Sequence, residues 1–442
     1  MNSNKIISQI NRNGFSTDKS GNLEFDFCKL KKISQKYGTP CYVYSENLIR
    51  KKCREYIRAF SQHNIEFEIL YASKAFSVKA MAHILKEEGL SLEVASGGEL
   101  YTALSANFPP EKIFFHGNNK SKEEIEFALK EKIGTVMIDN EHELETVEQI
   151  AKKLDIEVKI MLRVTPGIDT HTHKYIQTGQ IDSKFGISIN KIPDFMKKVL
   201  LKKHLIYNGL HFHLGSQIFD LSPYFLAIEE MVKLIRKIKN LYHIETAKLN
   251  LGGGLGIKYL ESDSPPSIEY FVNLVVKSLK KEMKKNELNM PKILIEPGRS
   301  IVGEAGITIY SIGAIKEIPK LKKYLIIDGG MTDNPRPILY DAKYKAVLLE
   351  KINSVPSEIV TIAGKCCESG DILIKDLKLP TASLGDHLVV FSTGAYHHSM
   401  SSNYNGLPKP AVVLVNNGKS ALIVRRETYA DMIKNNSMPE WF

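Results

Sequence analysis

Lys74 stands where a lysine has few bland uses. It closes the apolar run Ile69-Leu70-Tyr71-Ala72, in the order Tyr71-Ala72-Ser73-Lys74-Ala75, just ahead of a helix-like stretch. An ammonium at the C-terminal end of a buried strand must be desolvated, paired or consumed chemically. Consumed, it is an amine nucleophile that traps a carbonyl as a Schiff base. Otherwise its stem lies on apolar surface and its head reaches water. Downstream, Leu251-Gly252-Gly253-Gly254-Leu255-Gly256 follows another apolar strand. Consecutive glycines let backbone N–H groups close on a phosphate with no Cβ in the way, or simply make a tight turn. Ser216, after His213-Leu214-Gly215, offers a hydroxyl to the same phosphate.

His211 and His213 alternate along one strand and so face the same way. Two strand-end histidines raise the question of a metal. No third histidine or carboxylate follows at ligand spacing, so no metal is expected. A flat imidazole stacked on a cofactor ring suits them better. Glu296-Pro297-Gly298-Arg299 ends a further apolar run. A carboxylate there pairs with a cationic ring nitrogen, and an arginine forks onto a substrate carboxylate. As a purely structural pair, Glu296 and Arg299 would neutralise each other.

These residues need elements that bring them together. Eight short apolar runs, at residues 67–74, 90–96, 113–117, 135–140, 158–167, 207–216, 248–254 and 292–298, alternate with helix-like segments such as 123–131, 141–154, 224–238 and 268–283. This repeated strand–helix alternation predicts an α/β fold built on a (β/α)8 TIM-like barrel, with its chemistry at the C-terminal strand ends. Those ends carry Lys74, Glu93, His116, Asp139, Arg163, His213, Gly252 and Glu296. A doubly wound open sheet is the alternative, but it wants Gly-x-Gly-x-x-Gly where Ser-Lys-Ala stands.

Beyond residue 301, β-like runs at 307–315, 324–328, 346–349, 358–363, 387–391, 411–416 and 420–425 are separated by Gly, Pro and Asp. They predict a C-terminal all-β domain, barrel- or sandwich-like, joined by strand-like pieces at 22–44. The expected division is residues 1–44 packing with the β domain, 45–305 as the barrel and 306–442 as the β domain. The polar insert 167–186, with His171, His173 and Gly179, reads as an active-site loop.

The net charge is +10, with lysines spread over segments 29–32, 197–203, 280–285 and 320–323. No aromatic-interleaved basic stripe accompanies them, so they read as solvated helix faces and no nucleic-acid partner is expected. The five cysteines are odd in number and lack a Cys-x-x-Cys pair, which argues against a disulfide framework or a zinc site. Met1-Asn2-Ser3-Asn4-Lys5 leads into no continuous apolar segment, and no run is long enough to span a bilayer. A cytoplasmic protein without a membrane partner is expected.

Further motifs join those above. They are Ser96-Gly97-Gly98-Glu99-Leu100, His116-Gly117-Asn118-Asn119-Lys120, Asp328-Gly329-Gly330-Met331, Arg336-Pro337 with Tyr340, Cys367-Glu368-Ser369-Gly370-Asp371, and Gly394-Ala395-Tyr396 followed by Met400 and Asn403-Tyr404-Asn405. From about residue 40 to 430 the chain resembles the fold-type III pyridoxal phosphate-dependent decarboxylases. Within them it is most similar to the diaminopimelate decarboxylases, because ornithine and arginine relatives carry Cys followed by Asp, without the Glu, at Cys367-Glu368. It departs from the family at Phe76, where Asn is usual, and at Gly364-Lys365-Cys366 ahead of Cys367.

The resemblance implies pyridoxal 5'-phosphate as cofactor and decarboxylation of meso-2,6-diaminopimelate to L-lysine and CO2, the last step of lysine biosynthesis. It implies two catalytic residues, Lys74 holding the cofactor covalently and Cys367 protonating the α-carbon. His213 would stack on the ring and Glu296 keep its nitrogen protonated. Ser216, Gly253, Gly254, Pro297, Gly298, Arg299 and Tyr396 would complete the cofactor site. Arg299, Arg336 and Tyr340 would bind the distal carboxylate, Glu368 the distal ammonium, and Tyr396 would also touch substrate. Similar sites are completed across a homodimer, so Cys367 and Glu368 are expected to serve the partner subunit's Lys74. The alternatives are a decarboxylase of another basic amino acid or of carboxynorspermidine, and a non-catalytic cofactor-binding relative. Arg336 and Glu368 argue against a simple diamine product. The retained thiol and arginine argue against lost catalysis.

Overall fold

The structure is a computed structural model that describes residues 12–168 and 183–442. Two compact units emerge. One comprises residues 50–257 and 264–300; the other comprises 12–49, 258–263 and 301–442.

In the first unit the apolar runs form eight parallel strands: Phe67–Ala72, Ser91–Val94, Ile113–Phe115, Thr135–Ile138, Val158–Thr165, Leu205–His211, Lys248–Asn250 and Lys292–Ile295. Each pairs with the next in sequence. The eighth then pairs with the first, Leu294 opposite Glu68, and closes the barrel. Strands two to four are buried at every position, as expected of a parallel sheet covered on both faces. Leu70, Phe114, Met137, Met161 and Leu294 form one core cluster.

The helices start where polar side chains can cap them. Ser121 and Glu124 make a reciprocal capping box ahead of Lys122–Lys130, and Asn140 accepts from the Glu143 N–H at the head of Glu141–Leu154. These caps fix where each strand end gives way to a helix. That positions the rim residues.

The second unit is mostly sheet. The long strand Gly306–Ile318 pairs with Cys41–Ser45, Lys322–Ile327 and His387–Val390. Cys41–Ser45 is buried throughout and runs parallel to Ala411–Asn416, so the N-terminal segment supplies an interior strand. Two strands of this unit went unread in the sequence, Phe15–Thr17 and Ile372–Leu379. Ile372–Leu379 pairs with Glu358–Ala363 at the sheet's edge, and its Lys375, Asp376 and Lys378 mask the apolar alternation. The short segment Lys258–Asp263 groups with this unit because Arg12 donates to the carbonyls of Lys258 and Tyr259. Among the described residues no helix is long and apolar enough to cross a membrane.

Candidate active site

The first barrel strand stops at Ala72, whose N–H donates to the Pro297 carbonyl at 3.2 Å. Lys74 lies in the short turn Ser73–Ala75 just beyond it. The lysine is exposed. Phe76 is buried.

Glu296 follows the eighth strand, next to the strand that leads to Lys74. It is buried, and three side chains converge on its carboxylate. Asn250 Nδ2 donates to Oε1 at 2.7 Å, His116 Nε2 approaches Oε1 at 2.9 Å, and His211 Nε2 lies 3.2 Å from Oε2. The His116 approach is bent away from an ideal N–H···O line, so it is close without being well aligned. Burial alone would push the Glu296 carboxyl up, but His116 and His211 outweigh it and hold the group well below the usual carboxylate range. Burial depresses His211 to about 4. Near neutrality His211 is therefore an uncharged hydrogen-bond donor, not an ion-pair partner.

The sequence offered no third ligand by spacing, yet the fold brings His116, His211 and Glu296 into one buried group of metal-ligand type, with donor atoms within 4.8 Å of one another. Glu296 and Arg299 do not serve chiefly to neutralise each other. Arg299 Nη2 donates to Ser216 Oγ at 2.9 Å, and Glu296 is taken up by the imidazoles and Asn250.

The glycine run is shaped by close approach. A Cβ on Gly253 would lie 2.1 Å from the Glu296 carbonyl oxygen, and Gly252 and Gly254 adopt positive φ of 67° and 128°. Two of its N–H groups are not left for a ligand, contrary to the sequence expectation. Gly252 donates to Asn250 Oδ1 at 2.9 Å and Gly253 to His213 Nδ1 at 3.1 Å. His213 is held by that bond. Burial, then the charges of Lys74 and Arg163, keep it well below the ordinary histidine range. Pro297 and Gly298 pack against the first strand, where a Cβ on Gly298 would meet the Cβ atoms of Ala72 and Ala75 at 3.1 Å.

This donor set fits a pyridoxal phosphate. A low-lying carboxylate suits a protonated ring nitrogen, and a neutral imidazole suits a ring face. The Arg299–Ser216 pair offers donors to a phosphate, and Lys74 supplies an amine on the adjoining strand end. A separate cavity of about 650 Å³, lined by Asn140, Thr165, Ile187 and Lys191 among others, contains none of these groups.

In the second unit Arg336 opens the short helix Arg336–Tyr340 and is buried. Its Nη1 donates to the phenol oxygens of Tyr259 at 2.9 Å and Tyr344 at 2.7 Å. The guanidinium also lies over the rings of Tyr259 and Tyr340, 5.3 and 5.8 Å from their centroids. Its Nε is buried without a partner among the described residues, which suits an anionic ligand. Tyr396 sits at a positive φ of 65° and contributes to the field on Arg336.

Cys366 is buried and its thiol is pushed up to about 11 by burial and Asp371, whereas Cys367 is exposed. The Cys367 N–H donates to Asn405 at 2.8 Å. Asp371 stitches this turn to the neighbouring loop by accepting from Cys366 and Met331 N–H groups at 3.0 and 2.7 Å. Glu368 is exposed beside them. His171, His173 and Gly179 of the expected active-site loop lie outside the described residues.

Sequence reasoning assigned no role to Asn250, Tyr259 or Tyr344. Asn250 was detectable as a polar residue ending an apolar strand; the two tyrosines carried no comparable signal.

Residues 46–303 match the family model for the pyridoxal-binding domain of pyridoxal-dependent decarboxylases. The chain is 46% identical to a diaminopimelate decarboxylase of Bacillus subtilis, covering 94% of this chain and 95% of that one. It is 48% identical to one of Bacillus methanolicus, covering 93% and 95%. A diaminopimelate decarboxylase of M. jannaschii, solved with L-lysine, superposes with a TM-score of 0.90 at 34% identity, covering 97% of this chain and 98% of that one. Similarity of this degree runs through both units, and by it the chain belongs to the diaminopimelate decarboxylases, within the pyridoxal-dependent decarboxylase family.

Proposed function

We propose that this protein decarboxylates meso-2,6-diaminopimelate to L-lysine and CO2 with pyridoxal phosphate. The observation that carries the reading is the barrel rim. There an anionic Glu296, a glycine-lined turn and Lys74 sit on adjoining strand ends. Bound pyridoxal phosphate supplies the electron sink for loss of the carboxylate. The chain's own residues do the rest. Lys74 Nζ would anchor the cofactor covalently, Glu296 would pair with the ring nitrogen, and His213 would cover the ring. Ser216, Gly253, Gly254, Pro297, Gly298, Arg299 and Tyr396 enclose it. Cys367 delivers the proton to the α-carbon; its exposure, against the burial of Cys366, supports that choice.

Arg299, Arg336 and Tyr340 take the distal carboxylate, Glu368 the distal ammonium, and Tyr396 contacts substrate. A buried arginine clamped by phenols is an anion receptor that a plain diamine product would not need. We assign the enzyme to the cytoplasm, in keeping with five free cysteines. We assign it to a homodimer in which Cys367 and Glu368 serve the partner subunit's Lys74. CO2 release from meso-diaminopimelate, L-lysine, L-ornithine and L-arginine tests the substrate. Turnover should be confined to the first, and preference for ornithine or arginine would refute the assignment. Mixing inactive Lys74→Ala and Cys367→Ala proteins tests the shared site. Activity should return on subunit exchange, and its absence after verified exchange would exclude sharing.

A further inference from the structure

We propose that His211 and Asn250, with His116 packed against the same carboxylate, are positioning residues, whose N–H donors fix Glu296 and set how firmly it keeps the ring nitrogen of bound pyridoxal phosphate protonated. The inference rests on the role of Glu296 given above and extends it to residues outside the glutamate's own strand. They come from the third, sixth and seventh barrel strands or the residue after them, so the donors encircle the carboxylate from across the barrel mouth.

The tautomers follow from the contacts. His211 Nδ1 is buried with no partner among the described residues, while Nε2 lies 3.2 Å from Glu296 Oε2. A proton on Nδ1 would be orphaned and would turn the Nε2 lone pair against a carboxylate. A proton on Nε2 satisfies both atoms' neighbours better. The two imidazoles meet edge to face, with centroids 4.9 Å apart and an interplanar angle of 84°, so each limits the other's rotation. His116 goes to Oε1 and His211 to Oε2. Separate oxygens for separate imidazoles is a hydrogen-bonding arrangement. A shared ion would draw both nitrogens and one oxygen to about 2.0–2.2 Å from a single point.

Other charges face the same carboxylate. Arg163, from the fifth strand, and His213, beyond the sixth, both sense Glu296 electrostatically, and Lys74 acts on His213. Arg163 is shared with Asp139, 3.8 Å away. The donors hydrogen-bonded to Glu296 remain His211 and Asn250, with His116 Nε2 2.9 Å from Oε1. Removing one leaves the buried carboxylate short of a hydrogen bond to its charged form, which raises its own proton affinity and draws the ring proton from nitrogen toward Glu296.

The test uses holoenzyme reconstituted with cofactor labelled with nitrogen-15 in the pyridine ring. The ring-nitrogen resonance is followed against pH, alongside cofactor affinity. Wild type should hold the ring proton throughout the neutral range. His211→Leu should shift that resonance toward the unprotonated position across the same range, a tenfold or greater change in how the proton divides between ring nitrogen and carboxylate. His211→Gln, which restores an N–H donor, should recover most of that shift. An unchanged titration in His211→Leu overturns the proposal. If that variant does not fold, the wild-type His211 resonances decide, because that imidazole must carry a proton on Nε2. An Nδ1-only tautomer at His211 overturns it. A wild-type ring nitrogen without a proton at neutral pH would remove the role of Glu296 as well, so the two readings fail distinguishably.

Discussion

The barrel rim and the β-rich unit each bury one decisive charge, and they hold it by opposite means. Glu296 and Arg336 are almost equally buried, 7% and 5% exposed, so burial does not distinguish them. The carboxylate is gripped by N–H donors that sit at strand ends, where the hydrogen-bonded ladder of the barrel fixes every Cα. The guanidinium is gripped by phenol oxygens and ring faces from the segment Lys258–Asp263 and a short helix, with Arg12 clasping that segment from behind. Strand ends suit chemistry that tolerates little displacement. Aromatic clamps on loops suit recognition, where shape and charge of a distal group are read.

The comparison is broken most directly at Lys74. Lys74→Ala should lower decarboxylation by about three orders of magnitude or more and abolish the near-visible absorption of bound cofactor. Borohydride reduction and peptide mapping of wild type should place the pyridoxyl group on Lys74, and label on another lysine would break the assignment. Glu368→Ala probes the other region. It should cost about 1.5–3 kcal/mol, roughly 10- to 150-fold in kcat/KM for diaminopimelate, while cofactor affinity stays at the wild-type level. Wild-type kinetics in this variant would erase the division between chemistry and recognition.

Acid should act on the barrel rim through His211. His211 titrates at about 4 in the folded protein against an ordinary 6.5. The unfolded chain therefore binds a proton in that window that the folded one refuses. The stability His211 contributes is full above 6.5 and is lost as pH falls toward 4, on the order of 3 kcal/mol. Denaturation midpoints measured across this window should flatten in His211→Gln; an identical acid arm in both proteins would show that the imidazole is not the group refusing the proton. The smallest expected effect is at the guanidinium clamp. Tyr259→Phe removes one of two phenol acceptors and should cost about 0.5–1.5 kcal/mol in kcat/KM, mostly through KM. An equal fall in kcat would mean that Arg336 serves the chemical step too.

Much of the barrel was readable because its information is local. Each strand is a short apolar run closed by a polar residue, and Glu141–Leu154 begins and ends where its pattern does. The edge strand Ile372–Leu379 was hidden because exposed lysines and Asp376 interrupt its alternation. Periodicity left the exposure of Lys74 open, because a three-residue turn separates it from the strand.

By itself the sequence determined that Lys74, His213, the glycine run and Glu296 stand at successive strand ends, since period and spacing place residues along a chain. Which of those ends meet is a property of closure. His116, His211, Asn250 and Glu296 converge only because the first and last strands pair and draw distant segments around one axis. The same holds for Arg336, whose partners Tyr259 and Tyr344 lie 77 and 8 residues away. The tertiary structure also decided that Gly252 and Gly253 direct their N–H groups to Asn250 and His213, because a backbone donor brought close to a side-chain acceptor in a buried site is not left unpaired.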